Sequence, residues 1–219
     1  MEYVKICGLK DPVHIKLCRE YGANAVGFIY NVPNSPRNLE KNDLLTLMRK
    51  APKDISRVIV NRSNNLSDCV NIMNEINADY YQFHCNFSLQ EFDKLPINMT
   101  KKIIVGMKLT QANKDFVIKK INFSSDQFFS FLLDNSEGQG TELDYDFILE
   151  VLRKTYGSKI IIAGGISIDN IEYLIKNLNP FGIDASSSLE SEKGIKDSIK
   201  IKKFLNKIKE IKSDIESET

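Results

Sequence analysis

Residues 160–166 read Ile160-Ile161-Ile162-Ala163-Gly164-Gly165-Ile166, three β-branched residues and an alanine followed by two glycines. Four apolar residues without polar alternation predict a strand buried on both faces, as in a parallel sheet covered by helices. The two glycines predict a tight turn directly after the strand. This stretch therefore predicts one strand of a parallel α/β fold.

The same kind of apolar run recurs along the chain, and amphipathic stretches of helical length separate the runs. One such stretch begins at Asp11-Pro12, a typical cap and first turn, and ends near Gly22. The eight predicted strands are Val4–Cys7, Ala25–Ile29, Arg57–Val60, Tyr80–Phe83, Ile103–Met107, Phe131–Asp134, Ile160–Ala163 and Ile183–Ala185.

Eight strand–helix units in 219 residues predict an α/β protein with a single (β/α)8 TIM-barrel domain over residues 1–219. Residues 213–219 are predicted to form a frayed tail. An open doubly wound sheet is the alternative architecture. The segment Val4–Lys10 argues against it, because it lacks the G-x-G-x-x-G turn of dinucleotide-binding sheets.

Charge and cysteine content limit the classes of partner. The chain has 30 basic and 29 acidic side chains and a net charge of +1, so it lacks the long-range field that attracts nucleic acid or anionic membranes. No apolar run approaches the roughly 20 residues that span a bilayer, and no secretory signal precedes the first strand. We expect a cytoplasmic protein without nucleic-acid or membrane partners. The four cysteines are predicted to be reduced thiols, and two histidines make a metal site unexpected.

Polar and small residues follow the predicted strands at their carboxyl ends, where parallel barrels place their active sites. By position alone each has an ordinary structural interpretation. Cys7 fits a small buried residue, Asp134 a cap and Arg37 a solvated surface residue. Gly164-Gly165 fits either a tight turn or one half of a phosphate-binding loop, with Ser186-Ser187-Ser188 as the other half.

Five short motifs lie in order along nearly the whole chain. They are Lys5-Ile6-Cys7-Gly8-Leu9, Gly22-Ala23-Asn24-Ala25-Val26-Gly27-Phe28-Ile29, Ser35-Pro36-Arg37, Ala163-Gly164-Gly165-Ile166 and Gly194-Ile195-Lys196-Asp197. Together they resemble the phosphoribosylanthranilate isomerase family of tryptophan biosynthesis. Cys85 and Ser188 stand where that family commonly has glycine, and Glu137-Gly138-Gln139-Gly140 stands where it has Gly-Gly-Thr-Gly.

The resemblance implies a reaction and two proton carriers. The reaction is the Amadori rearrangement of N-(5'-phosphoribosyl)anthranilate to 1-(2-carboxyphenylamino)-1-deoxyribulose 5-phosphate, which moves protons and requires no cofactor or metal. Cys7 is implied as the general base, a role that needs the thiolate and hence a lowered thiol pKa. Asp134 is implied as the general acid.

The resemblance also implies the substrate contacts. Arg37 would bind the carboxylate of the anthranilate ring, for which its planar fork is suited. The residues that would bind the phosphate are Gly164, Gly165, Ser187 and Ser188. His84 and Asp184 are implied as supporting residues or substrate contacts. The partner is then a small phosphorylated molecule, and the protein a monomer or homodimer. The lysine-rich segment 196–212 is predicted to be a solvated outer face.

Two alternatives stay open at this point. One is a related phosphate-binding isomerase of the aminoimidazole carboxamide ribotide type, which resembles a design with two aspartates; Cys7 argues against it. The other is a barrel that binds a phosphorylated metabolite or a partner protein without turnover. The replacement of family glycines by Cys85 and Ser188 leaves this second alternative open, because a side chain there limits how closely the backbone can approach a ligand.

Overall fold

Eight parallel strands close into a barrel in the computed structural model, which describes residues 1–135 and 144–217. The strands of this sheet are β1 (Tyr3–Cys7), β2 (Ala25–Tyr30), β3 (Asn38–Leu39), β4 (Ser56–Ser63), β5 (Tyr80–Cys85), β6 (Ile103–Lys108), β7 (Ser130–Asp134), β8 (Ile160–Ala163) and β9 (Gly182–Ala185). The order around the barrel is β1, β2, β4, β5, β6, β7, β8, β9, and β9 pairs with β1 again, while the short β3 pairs with β2. All eight predicted strands and the predicted single-domain barrel are confirmed.

Helices cover the outside of the barrel. They are α1 (Pro12–Glu20), α2 (Lys41–Lys50), α3 (Leu66–Glu75), α4 (Ile97–Thr100), α5 (Lys114–Ser124), α6 (Tyr145–Lys154), α7 (Ile171–Tyr173) and α8 (Ser198–Ser217). The predicted cap of α1 is present, because the Asp11 carboxylate accepts a hydrogen bond from the Val13 backbone N–H at 2.7 Å. Among the helices of residues 1–135 and 144–217, none combines the length and apolarity needed to cross a membrane.

The end of the chain differs from the prediction in two ways. An antiparallel hairpin, β10 (Glu190–Glu192) and β11 (Ile195–Lys196), lies between β9 and α8 and was not predicted. The helix α8 continues to Ser217, so the prediction of a frayed tail from residue 213 is wrong as far as Ser217. Ile211 is buried and Ile215 packs against the core, which explains the extra turns. Residues 218–219 lie outside the described residues, as do Ser136 and the motif Glu137-Gly138-Gln139-Gly140.

The strands are apolar on both faces because each face packs against a different layer. Val4 and Ile6 of β1 belong to the apolar layer between the barrel and the helices. Tyr3 and Cys7 point the other way and belong to a second cluster made of strand residues inside the barrel. Lys5 shares that inward face and is fully buried. An ionisable side chain is therefore sealed inside the barrel, one layer below Cys7.

Aromatic rings pack together where the strands begin. Tyr3 at the start of β1 stacks on Phe181 with ring centroids 5.8 Å apart, and Tyr80 at the start of β5 packs on Phe129 at 4.1 Å. These rings fill the amino-terminal end of the barrel. The polar residues at the carboxyl ends of the strands are left at the opposite end.

Candidate active site

A cavity of about 430 Å³ opens among the carboxyl ends of the strands. It contains eight of the nine residues predicted to form the site, namely Cys7, Arg37, His84, Asp134, Gly164, Gly165, Asp184 and Ser187. The ninth, Ser188, does not line this cavity; its hydroxyl donates to the backbone carbonyl of Ile166 at 2.5 Å. Residues far apart in sequence thus meet at one rim of the barrel, as the carboxyl ends of parallel strands require.

Cys7 is the last residue of β1 and lies beside the buried ion pair of Lys5 and Asp184. The Lys5 Nζ atom is 2.7 Å from Oδ2 of Asp184, and the Lys5 side chain has no exposed area. The register of β1 and β9 explains the pair, because Lys5 and Asp184 are direct neighbours across the two strands. Lys5 belongs to the first of the five motifs but was not predicted as a site residue. The signal that could have identified it is a single cation inside the apolar run Tyr3–Cys7.

Gly27 of β2 provides the space that Cys7 and Lys5 occupy. The two strands pair so that Gly27 lies opposite Cys7. A Cβ atom on Gly27 would lie 2.8 Å from the Cys7 Sγ and 3.1 Å from the Lys5 Nζ. Any larger residue would therefore displace the thiol, the ammonium or both.

The thiol of Cys7 is not in the electrostatic state that the sequence analysis expected. Burial raises the pKa of Cys7 above its ordinary value, while the nearby charges of Lys5 and Lys196 oppose that rise. The expectation of a lowered pKa is therefore wrong. The reason is that Cys7 is 5 % exposed, so that desolvation of the thiolate, together with the charge of Asp184, outweighs the two cations.

Asp134 is the last residue of β7 and is half-buried. It pairs in register with Ala163 of β8, which also lines the cavity. Its charge raises the pKa of His84, which opposes the effect of burial there. It also raises the pKa of Asp184, which adds to the effect of burial. A carboxyl group and the Cys7 thiol thus lie on the wall of the same cavity, where each can reach a bound molecule.

Arg37 lies at the edge of the cavity and is held by Glu190 of the hairpin. Its Nε and Nη2 atoms donate to the two carboxylate oxygens of Glu190 at 2.5 and 2.8 Å. Glu190 also accepts from the Lys196 Nζ at 2.6 Å and from the Gly194 backbone N–H at 2.9 Å. These donors hold the pKa of the Glu190 carboxyl at about 2, although burial acts in the opposite direction.

The prediction that residues 196–212 form a solvated face is wrong for Lys196. Its side chain is 1 % exposed and carries the ion pair to Glu190. Lys200 is exposed, in keeping with that prediction, and its Nζ donates to the Glu190 backbone carbonyl at 2.6 Å. Neither Glu190 nor Lys196 was predicted as a site residue. Lys196 was assigned to the solvated face, and Glu190 begins the stretch Glu190-Ser191-Glu192-Lys193, which has the composition of an exposed turn.

Gly164 and Gly165 form the turn after β8 and have φ angles of +82° and +70°. A residue with a Cβ is strained in this left-handed region, so the turn requires glycine. Across the rim, Ser186 donates to the Cys7 backbone carbonyl at 3.1 Å and Ser187 begins a 3₁₀ turn. Bare glycine backbone therefore faces the cavity beside a serine-rich loop, an arrangement suited to an anion.

His84 is an uncharged group in this site. Burial lowers its pKa to about 4, and Arg62 and Lys5 act in the same direction. Its Nε2 atom lies 2.9 Å from the amide nitrogen of Gln82. Gly106 of the neighbouring strand makes room for the ring, since a Cβ there would lie 2.6 Å from the imidazole Cε1.

The described part of the chain contains no group of three or more His, Cys, Asp and Glu side chains arranged to hold a metal ion. The groups that do converge are a thiol, a carboxyl, a guanidinium and a neutral imidazole. Such groups transfer protons and bind anions. Fold and cavity together are those of a (β/α)8-barrel protein whose candidate active site carries acid–base groups.

Comparison with known proteins identifies the family. The family model of N-(5'-phosphoribosyl)anthranilate isomerase matches residues 4–207. The chain therefore belongs to the N-(5'-phosphoribosyl)anthranilate isomerase family, whose reaction is a step of tryptophan biosynthesis.

Relatives and solved structures agree with this assignment. The N-(5'-phosphoribosyl)anthranilate isomerase of Sulfurihydrogenibium sp. is 31% identical, covering 94% of this chain and 98% of the relative. The one from Methanosarcina acetivorans is 28% identical over 222 residues, covering 94% and 92%. The crystal structure of phosphoribosyl anthranilate isomerase from Thermotoga maritima superposes with a TM-score of 0.78 at 25% identity, covering 96% of this chain and 100% of that one.

Proposed function

We propose that Cys7 and Asp134 are the two proton carriers with which this chain isomerises N-(5'-phosphoribosyl)anthranilate. The observation that carries the proposal is that both side chains line one cavity together with Arg37 and Gly165. An acid, a base and two candidate anion sites are the groups that this rearrangement needs. The cavity volume of about 430 Å³ lies within the range of pockets that enclose small molecules.

Asp134 is the proton donor of the first step. Its carboxyl gives a proton to the ribose ring oxygen, the C1'–O bond breaks, and the electron pair of the anthranilate nitrogen forms a Schiff base. The positive nitrogen then makes the proton on C2' acidic. A general acid in this position contributes about 10²–10⁴-fold to the rate.

Cys7 is the proton acceptor of the second step. Its thiolate takes the C2' proton, and the C2'–H electron pair forms the enolamine, which becomes the ketose product by tautomerisation. Protons move, and the substrate as a whole keeps its oxidation level. The thiol must lose its proton to water before it can act, so the raised pKa of Cys7 sets the fraction of competent enzyme.

The two anionic ends of the substrate bind at opposite sides of these carriers. The Arg37 guanidinium takes the ring carboxylate, since a fork of N–H donors matches a planar carboxylate. Backbone N–H groups of Gly164, Gly165 and Ser187 take the phosphate. Ser188 acts indirectly, by tying its loop to Ile166. Held at both ends, the ribose lies where acid and base can reach it.

His84 and Asp184 have supporting roles. A histidine with a pKa of about 4 is neutral at physiological pH and acts as a hydrogen-bonding partner for the substrate rather than as a proton carrier. Asp184 fixes Lys5 beside Cys7.

We further propose a cytoplasmic protein, since all four cysteines are free thiols, and a monomer or homodimer in solution.

The test is turnover of freshly generated N-(5'-phosphoribosyl)anthranilate, followed by its fluorescence and corrected for spontaneous decay without protein. The purified chain is expected to accelerate the loss of signal, with the ketose product identified by chromatography. A flat trace from folded protein would contradict the proposal and favour a non-catalytic binding barrel. Turnover of an aminoimidazole carboxamide ribotide substrate instead would favour the related isomerase, which the family match does not favour.

A further inference from the structure

Lys5 is a fully buried cation next to the proposed base. It lies two residues before Cys7 on β1, so both side chains point into the barrel. A lysine is almost never buried without a partner, and Asp184 supplies one at 2.7 Å. The ion pair satisfies Oδ2 of Asp184, whereas Oδ1 is buried and has no hydrogen-bond partner among the described residues.

The ammonium of Lys5 and the sulfur of Cys7 occupy the same small space above Gly27. A point at the position of a Gly27 Cβ lies within 3.1 Å of the Lys5 Nζ and 2.8 Å of the Cys7 Sγ. Apolar side chains of the barrel core pack around them, with Ala25, Val58 and Leu132 in the same cluster as Cys7. In such surroundings the attraction between opposite charges is much stronger than in water.

We propose that Lys5 is a positioning residue that stabilises the thiolate of Cys7, with Asp184 fixing the ammonium beside the sulfur. The proposal rests on the assignment of Cys7 as the base. A buried thiolate without a cation would be strongly disfavoured, and the thiol would ionise only at a still higher pH. Lys5 offsets that cost without touching the substrate.

Other charged and titratable groups also face Cys7, and Lys5 has the largest effect among them. The others are Tyr3 on β1, Asp184 on β9, Lys196 in the hairpin and Arg37 in the loop after β2. Burial lowers the pKa of Lys5, but Asp184 and Cys7 together raise it above its ordinary value. Lys5 therefore keeps its positive charge over the whole range in which the thiol ionises.

The experiment measures the rate of Cys7 alkylation by iodoacetamide against pH, using mass spectrometry to follow Cys7 alone. A Cys85→Ser background removes the half-buried second thiol. In Lys5→Met the alkylation midpoint is expected to move to higher pH by at least one unit, so that alkylation at neutral pH slows by about tenfold or more. The control is Lys16→Met on the exposed face of α1, which is expected to leave the midpoint unchanged.

A second variant covers the case in which Lys5→Met fails to fold because Asp184 is left unpaired. Lys5→Met/Asp184→Asn removes both charges of the pair. Its midpoint is still expected above that of the parent, because Lys5 affects the thiol more than Asp184 does. A midpoint equal to the parent's in either folded variant would overturn the proposal. Alkylation does not depend on turnover, so an inactive parent enzyme would count against the proposed function and not against this inference.

Discussion

The guanidinium of Arg37 is bound along one edge by the carboxylate of Glu190, with Nε and Nη2 donating at 2.5 and 2.8 Å. A guanidinium has five N–H donors in one plane, and this pair uses one on Nε and one on Nη2. The donors that remain include both on Nη1. Because Arg37 also lines the cavity, the ion pair orients the guanidinium and leaves donors for a ligand.

Replacing Arg37 by Ala is expected to raise KM for N-(5'-phosphoribosyl)anthranilate by about 10- to 100-fold, since a hydrogen bond to a charged group contributes roughly 1.5–3 kcal/mol. Steady-state kinetics with the analogue that lacks the ring carboxylate provides the comparison. That analogue is expected to bind both enzymes equally. An equal rise in KM for the substrate and the analogue would show that Arg37 does not bind the carboxylate.

Glu190→Gln is expected to raise KM in the same direction but by less than Arg37→Ala, because the guanidinium stays and loses only its fixed orientation. The matched control is Glu192→Gln, an exposed residue of the same hairpin, which is expected to leave KM unchanged. Thermal unfolding of both variants accompanies the kinetics, since Lys196 loses its buried partner in Glu190→Gln. An unchanged KM in folded Glu190→Gln would contradict a positioning role.

Gly165→Ala is expected to raise KM for the substrate several-fold more than it lowers kcat, because a Cβ at a φ of +70° distorts the backbone that we propose to bind the phosphate. Gly157→Ala is the control: Gly157 has a φ of +90°, and nothing within 4 Å would meet its Cβ. Both variants are expected to lose about 1 kcal/mol of stability from backbone strain. Gly157→Ala is expected to leave KM unchanged. If Gly165→Ala also leaves KM unchanged, the phosphate binds elsewhere.

The pH dependence of kcat/KM separates the two proton carriers, because the proposed mechanism needs a protonated carboxyl at Asp134 and a thiolate at Cys7 at the same time. In the parent enzyme these two requirements oppose each other, and the profile is expected to be bell-shaped. In Asp134→Asn only the thiol requirement remains, and burial raises the pKa of Cys7, so the residual kcat/KM is expected to rise with pH from neutral into the alkaline range. His84, with a pKa of about 4, adds no limb between pH 5 and 8. The measurement is kcat/KM of both enzymes from pH 6 to 9.5 at constant ionic strength, and a residual activity of Asp134→Asn that is already flat from pH 6 would be incompatible with a raised thiol pKa.

Most of the barrel could be predicted because each strand is a short, continuous apolar run. Ile160–Ala163, for example, has no polar residue that would permit an exposed face. The hairpin β10–β11 could not be predicted in this way. Its residues are largely charged, and it is held by the ion pairs of Glu190 with Arg37 and Lys196, which depend on the closed fold.

The catalytic candidates could be found at the strand ends, but their electrostatic environment could not. The sequence places Lys5 two residues from Cys7, yet its partner Asp184 is 179 residues away and becomes a neighbour only when β9 pairs with β1. The direction of the Cys7 pKa shift depends on how deeply the thiol is buried against those charges. Such a balance of burial and charge has no signature in a motif.

The central claim is that Cys7 takes the C2' proton, and kcat of Cys7→Ser at neutral pH tests it most directly. A hydroxyl is a far weaker base than a thiolate, so kcat is expected to fall by about 10²–10⁴-fold while KM and the folded state are preserved. The control is Cys85→Ser, which makes the same sulfur-to-oxygen change at the residue after His84 and is expected to keep near-normal kcat. A Cys7→Ser enzyme with near-normal kcat would contradict the account, and Asp184 would become the next candidate for the base.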